Sequence, residues 1–195
     1  MTTNMLKSIP LLAAAVLVAL TSCAKNNNNR TKEMNQNNTN AIVCYFSATG
    51  TTEKAARRIA AAAGADIHEI VPEKKYTSAD LNWRDSSSRS YVEMHNRSFR
   101  PALADSATDL SGYSVIFIGY PNWWNSAPTI INTFIEHNDL SGKTIMPFMT
   151  SGGSNITNSE NELHEAYPNL IWSKGILINN ASDAEISAWI DKSLK

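Results

Sequence analysis

Ala41-Ile-Val-Cys-Tyr-Phe-Ser-Ala-Thr-Gly-Thr-Thr52 sets a short apolar, β-rich run directly before a turn of hydroxyls around one glycine. An apolar run bounded by polar residues is the pattern of a strand buried on both faces, as in a parallel sheet. Cys44 falls inside the run and reads as a small core residue, with a reactive thiol as the alternative. Thr51 to Ala63 then has an alanine-rich helical composition and stops at Gly64. A strand passing through a tight turn into a helix is the start of an α/β unit.

The alternation continues to the C-terminus. Further strands are expected at Asp66–Val71, stopped by Pro72, and at Ser114–Gly119, Lys143–Thr150 and Lys174–Ile178. Helices are expected at Ser126–His137, with Ser126 as N-cap and Pro128 in the first turn, at Ser159–Tyr167, and at Ser182–Leu194. The last is opened by the capping box Ser182-Asp-Ala-Glu185. Repeated strand-helix order argues for a doubly wound parallel sheet with helices on both faces. In such sheets ligands bind beyond the carboxyl ends of the strands, where the strand order reverses. The loops after strands one, three and four therefore carry the chemistry.

The first of these, Ser47-Ala-Thr-Gly-Thr-Thr52, opens a helix and holds no lysine or arginine. Free backbone N–H groups and the helix dipole suit it to an enclosed monophosphate held by neutral donors. It lacks the terminal Gly-Lys-Ser/Thr of a nucleotide P-loop. Ser141-Gly-Lys-Thr144 mimics that ending, but the earlier glycine would have to stand at His137, so it reads as a turn.

Ser47, Ala48, Thr49, Gly50, Thr51 and Thr52 resemble the phosphate loop of the flavodoxin family, which binds the phosphate of FMN. Tyr120-Pro-Asn-Trp-Trp-Asn-Ser-Ala-Pro128 resembles the flavin-facing loop of a flavodoxin-like subgroup, and Thr150-Ser-Gly-Gly-Ser-Asn155 its third flavin loop. The resemblance spans residues 41–195 and includes Ala79-Asp-Leu-Asn-Trp83. Each loop alone is a common turn, and paired tryptophans are usually core; the order of all three is what carries the likeness. It implies a five-stranded sheet in the order 2-1-3-4-5 and an FMN site formed by Ser47–Thr52, by Pro121, Asn122, Trp123, Trp124 and Asn125, and by Ser151, Gly152 and Gly153. Trp123 and Trp124, in a Pro/Asn-rich loop, suit stacking on a flat isoalloxazine, with neither singled out. Backbone N–H groups at Ser151 to Gly153 suit its polar edge.

Two departures stand out. Many relatives carry Gly after the tryptophans, where a peptide reorients toward the reduced flavin; Asn125 tolerates positive φ less freely. Many electron-carrying relatives are also markedly acidic, whereas this chain carries 17 Lys+Arg against 18 Asp+Glu. That balance also argues against nucleic acid as a partner.

Pro72 to Ser111 is long for one connection and reads as a lid or partner surface. Asp80–Arg84 and Ser90–Met94 look like short helical pieces within it. Arg89, Arg97 and Arg100 read as solvated surface charge, with approach to a substrate or partner as the alternative. His68, His95, His137 and His164 show no metal spacing. No Ser-His-Asp or paired-carboxylate arrangement is visible.

The N-terminus reads as a targeting signal: Lys7, the apolar run Leu11 to Leu20, then Thr21-Ser-Cys23. The run is shorter than the roughly 20 residues needed to span a bilayer. Leu20-Thr-Ser-Cys23 resembles a bacterial lipobox, implying that residues 1–22 are removed and Cys23 lipidated; a plain signal peptide cut nearby is the alternative. Removal takes away Lys7 and moves the net charge from −1 to −2. Lys25 to Asn40 has Asn at eight of sixteen positions and reads, with residues 23–24, as a flexible tether with a reach of roughly 20–25 Å.

The expectation is an exported, membrane-anchored flavodoxin-like domain that binds one FMN noncovalently and cycles electrons between redox partner proteins. The rivals are an FMN-dependent NAD(P)H:quinone reductase and a phospholigand-binding module without flavin.

Overall fold

A computed structural model describes residues 40–105 and 107–193. The expected signal segment, the lipidation position Cys23 and the tether as far as residue 39 lie outside the described residues.

β1 (Ala41–Tyr45) pairs in parallel with β2 (Asp66–Glu69) on one side and β3 (Val115–Pro121) on the other. β3 pairs with β4 (Thr144–Thr150), which pairs with both β5 (Ile171–Trp172) and β6 (Ile176–Leu177). The order is β2-β1-β3-β4-β5, as the resemblance implies. The helices are α1 (Thr51–Ala63), α2 (Arg89–His95), α3 (Thr129–His137), α4 (Thr157–Ala166) and α5 (Asp183–Ser193).

Strand side chains alternate between faces, and the sequence supplies apolar residues to both. Ala41, Val43 and Tyr45 pack with Ala56 and Ile59 of α1 and Ile186 and Ile190 of α5. Ile42, Cys44 and Phe46 pack with Ile130, Ile131 and Phe134 of α3 and Leu163 of α4. Each fully buried Val, Ile, Leu or Phe among them contributes about 1.5–3 kcal/mol. Cys44 is completely buried, and that burial pushes its thiol up to about 12. It is a core residue rather than a reactive thiol.

Of the expected fifth strand, Lys174–Ile178, only β6 forms, and a further short piece, β5, precedes it outside those bounds. Thr144 and Ile145 pair with Ile171 and Trp172, while Phe148 and Met149 pair with Ile176 and Leu177. One extra residue therefore sits in the outer strand, opposite Pro147. The Ile145 carbonyl accepts from Ser173 N–H and the Met149 carbonyl from Ile178 N–H, so Pro147 faces the same edge and has no N–H to give. The strand bulges around that gap. A Cβ on Gly175 would lie 2.9 Å from the Pro147 carbonyl, and the Gly175 N–H donates to Glu160 Oε1 at 2.7 Å.

Two helix expectations need correction. α3 begins at Thr129 with Pro128 at its N-cap, because Ser126 Oγ donates to Glu162 Oε2 at 2.5 Å. Asp80–Arg84 is a series of turns: Asp80 Oδ2 accepts from Thr77 N–H and Asn82 Oδ1 from Arg84 N–H, local bonds that compete with helix. The capping box does open α5, with Ser182 N–H donating to Glu185 Oε2 at 2.7 Å.

The 72–111 segment is stitched down. Pro72 bridges Leu103, Arg97 pairs with Glu162 of α4 at 3.3 Å, and Arg100 pairs with Glu136 of α3 at 2.8 Å. The arginines expected to be solvated have carboxylate partners.

Candidate functional site

The loop after β1 turns on Gly50, which has φ 82° and caps α1 without any side-chain hydrogen bond to the helix. The first-turn N–H groups are thus left without a side-chain cap, at the positive end of the helix dipole. Ser47 Oγ accepts from Gly50 N–H at 3.1 Å and fixes the turn. The hydroxyls of Thr49 and Thr51 stand 3.4 Å apart and exposed. Thr52 instead points inward and shares a 2.8 Å hydrogen bond with Thr150 of β4.

β3 runs on through Pro121, and Asn122 N–H donates to the Thr150 carbonyl at 2.7 Å. Trp123 and Ser126 exchange backbone hydrogen bonds, both 3.0 Å, around Trp124 at φ 47° and Asn125 at φ 63°. Two positive φ values inside such a pair are the signature of a type I′ turn. Asn125 already occupies the left-handed region. Asn158 of α4 holds its carbonyl at 2.8 Å and also donates to Glu162.

The tryptophans part company. Trp123 is half-buried and meets Phe46 and Tyr76 edge-on, with ring centroids 5.6 and 5.3 Å away. Trp124 is 37% exposed and stands edge-on to Tyr91 and His95 of α2, which stack on each other at 3.7 Å. Trp123 therefore packs against the core and lines the cleft as well, while Trp124 remains at the surface.

In the third loop the Ser151 N–H donates to Asn179 Oδ1 at 2.7 Å, and Gly153 and Ser154 N–H donate to Ser151 Oγ. Of the three amides expected to meet a ligand edge, only that of Gly152 has no protein partner among the described residues.

A cleft of about 380 Å³ opens beside these loops. Ala48, Thr49, Pro121, Asn122, Trp123 and Trp124 line it. Leu81, Trp83 and Ser90 of the 72–111 segment complete the wall, and sequence reasoning missed them as site residues. The signals were the length of that segment and the resemblance of Ala79–Trp83 within it. Asn125, Ser151, Gly152 and Gly153 do not line the cleft. None of the lining residues is charged, so an anion there would be held by neutral donors, and negative charge on a bound ring would be disfavoured.

The wall from α2 is held by Glu93, which is 2% exposed and pairs with Arg89 at 2.6 Å. Tyr76 OH donates to the same carboxylate at 2.5 Å, and the Arg89 guanidinium lies over the Tyr76 ring at 3.9 Å. Burial, with the Glu93 carboxylate, pushes the Tyr76 phenol well above its ordinary range. Tyr76 therefore stays protonated as a donor, and its ring backs Trp123. Together the loops and this wall can seat a phosphate ester at one end and a flat apolar ring at the other.

No curated protein matches the chain. A crystal structure of a Bacteroides uniformis protein described as a flavoprotein is 52% identical, covering 78% of this chain and 97% of that one, with a TM-score of 0.76. A counterpart from Bacteroides eggerthii is 49% identical, covering 80% and 98%, with a TM-score of 0.78. A Lactobacillus acidophilus flavoprotein solved with FMN shares the fold at 19% identity, covering 80% and 99%, with a TM-score of 0.63. The flavodoxin family model matches residues 40–193, and with the sheet order and the three loops in place the chain belongs to the flavodoxin family.

Proposed function

We propose that this chain binds one FMN noncovalently and works as a membrane-tethered electron carrier between protein partners. The observation that carries the reading is the meeting of an uncapped hydroxyl turn, Ser47–Thr52, with an uncharged tryptophan-lined cleft at the carboxyl edge of the sheet. The cleft volume falls within the roughly 300–1,000 Å³ usual for small-molecule sites. FMN is the ligand of the Lactobacillus acidophilus relative.

FMN, when bound, supplies one- and two-electron redox chemistry. The protein's part is to bind, orient and shield. The Thr49 and Thr51 hydroxyls and the first-turn amides of α1 hold the phosphate with neutral donors. Trp123, backed by Phe46 and Tyr76, and Trp124, braced by Tyr91 and His95, present ring surface to the isoalloxazine. The uncharged lining disfavours added negative charge on the ring and so lowers its potential. No side chain acts as nucleophile, acid or base.

Leu20-Thr-Ser-Cys23 and the Asn-rich stretch after it support lipidation at Cys23 and anchoring on the outer side of a membrane. Among the described residues no helix is long and apolar enough to cross one.

The carrier reading is tested against the reductase on the purified full chain. NADH and NADPH oxidation with quinone acceptors should be negligible, while a one-electron donor protein reduces the flavin rapidly. Nicotinamide turnover at about 1–10³ per second, the usual range for enzymes, would replace the carrier with a reductase.

A further inference from the structure

Two polar atoms in the cleft wall have no partner among the described residues. Ser90 is 2% exposed, and its Oγ makes no hydrogen bond; the same is true of the buried Asn122 Oδ1. Folded interiors leave few such groups unpaired, because each forfeits its hydrogen bonds to water without replacement. Neither residue sits on a loosely held backbone. Ser90 N–H donates to the Asp80 carbonyl at 2.9 Å, and the preceding Arg89 is locked to buried Glu93. Asn122 N–H is fixed on Thr150. The main chain is held on both sides of the cleft while the two side-chain atoms remain free.

We infer that Ser90 Oγ and Asn122 Oδ1 hold the hydroxylated ribityl chain of FMN. This rests on the FMN reading and extends it to the 72–111 segment. The cleft is lined by Ala48 and Thr49 of the hydroxyl turn and by Trp123 and Trp124 of the flavin-facing loop, so on the FMN reading it spans phosphate and ring. In FMN the stretch between phosphate and ring is the ribityl chain, with its row of hydroxyls. Asn122 Oδ1 only accepts, whereas Ser90 Oγ both donates and accepts. A polyol satisfies both atoms. A phosphate dianion offers Asn122 no donor, and neither does the face of a flavin ring. Ser90 is thus a positioning residue that couples the 72–111 segment to the cofactor.

The test is binding of FMN, of riboflavin and of lumiflavin, which has the ring without the ribityl chain, to the full chain by flavin fluorescence. Ser90→Ala should weaken FMN and riboflavin alike, by about tenfold, and leave lumiflavin unchanged. The flavin-free variant should unfold at the same temperature as the parent or higher, since no protein hydrogen bond is lost. Ser90→Cys, nearly isosteric but a poor hydrogen-bonding group, should show the same selectivity and carries the test if Ser90→Ala does not fold. Unchanged FMN affinity, a loss confined to FMN, or an equal loss for lumiflavin would each overturn the assignment. Failure of the parent chain to bind FMN would overturn the FMN reading itself, and is seen before any substitution is made.

Discussion

Thr52 Oγ1 and Thr150 Oγ1 lie 2.8 Å apart in the interior and tie the first turn of α1 to the end of β4. The Ser47–Thr52 turn and the third loop are thereby one mechanical unit. Replacing either threonine by valine strands a buried hydroxyl, which costs about 1–3 kcal/mol, whereas replacing both removes donor and acceptor together. Thr52→Val and Thr150→Val should each lower the stability of the flavin-free chain in urea titrations, and the double variant should lose much less than the sum. Additive losses would show that the two hydroxyls do not depend on each other.

Thr49 differs because its hydroxyl is exposed at the turn and meets only that of Thr51 at 3.4 Å. Thr49→Val should leave flavin-free stability within about 0.5 kcal/mol. It should weaken FMN by about 1.5–3 kcal/mol, the worth of a charge-assisted hydrogen bond, while riboflavin, lacking the phosphate, is little affected. Calorimetric titration with both flavins separates these outcomes; equal losses would move Thr49 off the phosphate.

Asn125, where many relatives carry glycine, already stands at φ 63°. Its backbone therefore does not obstruct a left-handed turn. Asn125→Gly should change stability by only a few tenths of a kcal/mol, and Asn125→Ala should cost about 1 kcal/mol, because alanine tolerates positive φ poorly. Denaturant midpoints of the two variants check this. Trp124, at φ 47°, bears the larger strain for a bulky residue, and the turn is pinned on both flanks through Asn158 and Glu162.

The Arg100–Glu136 pair gives a pH signature. The Arg100 hydrogen bonds hold the Glu136 carboxyl below its ordinary value of 4.5, so the native state favours the ionised form. That contribution is present above pH 4.5 and is lost as the pH falls through the lower native value. Because both side chains are about one-third exposed, the pair is worth only about 0.5 kcal/mol. Arg100→Gln should therefore destabilise the chain at pH 7, with the gap from the parent closing toward pH 3. Urea titrations across that range measure it; a gap independent of pH would assign the loss to packing.

The strands most legible in the sequence are those buried on both faces. Ile42 and Cys44 feed one layer while Val43 and Tyr45 feed the other, so the whole run reads apolar. Gly64, at φ 62°, and the Ser182–Glu185 box are local signals that mark helix ends without tertiary help. Elements shaped by distant partners were harder to read. The break between β5 and β6 is dictated by Pro147 on the neighbouring strand, and Ser126 leaves the N-cap of α3 for a glutamate 36 residues away. The Ser47–Thr52 turn at the start of α1 was readable because its residues are contiguous. Leu81, Trp83 and Ser90 were not, because only the buried Arg89–Glu93–Tyr76 cluster brings their segment against the cleft.

The most direct measurement of the central claim is the flavin content of the full chain, purified from membranes in mild detergent and then titrated with FMN after the flavin is stripped. One FMN per chain is expected, released intact on denaturation, with quenching of FMN fluorescence at a one-to-one endpoint as the tryptophans close on the ring. A chain that carries no flavin and leaves FMN fluorescence unchanged would contradict it.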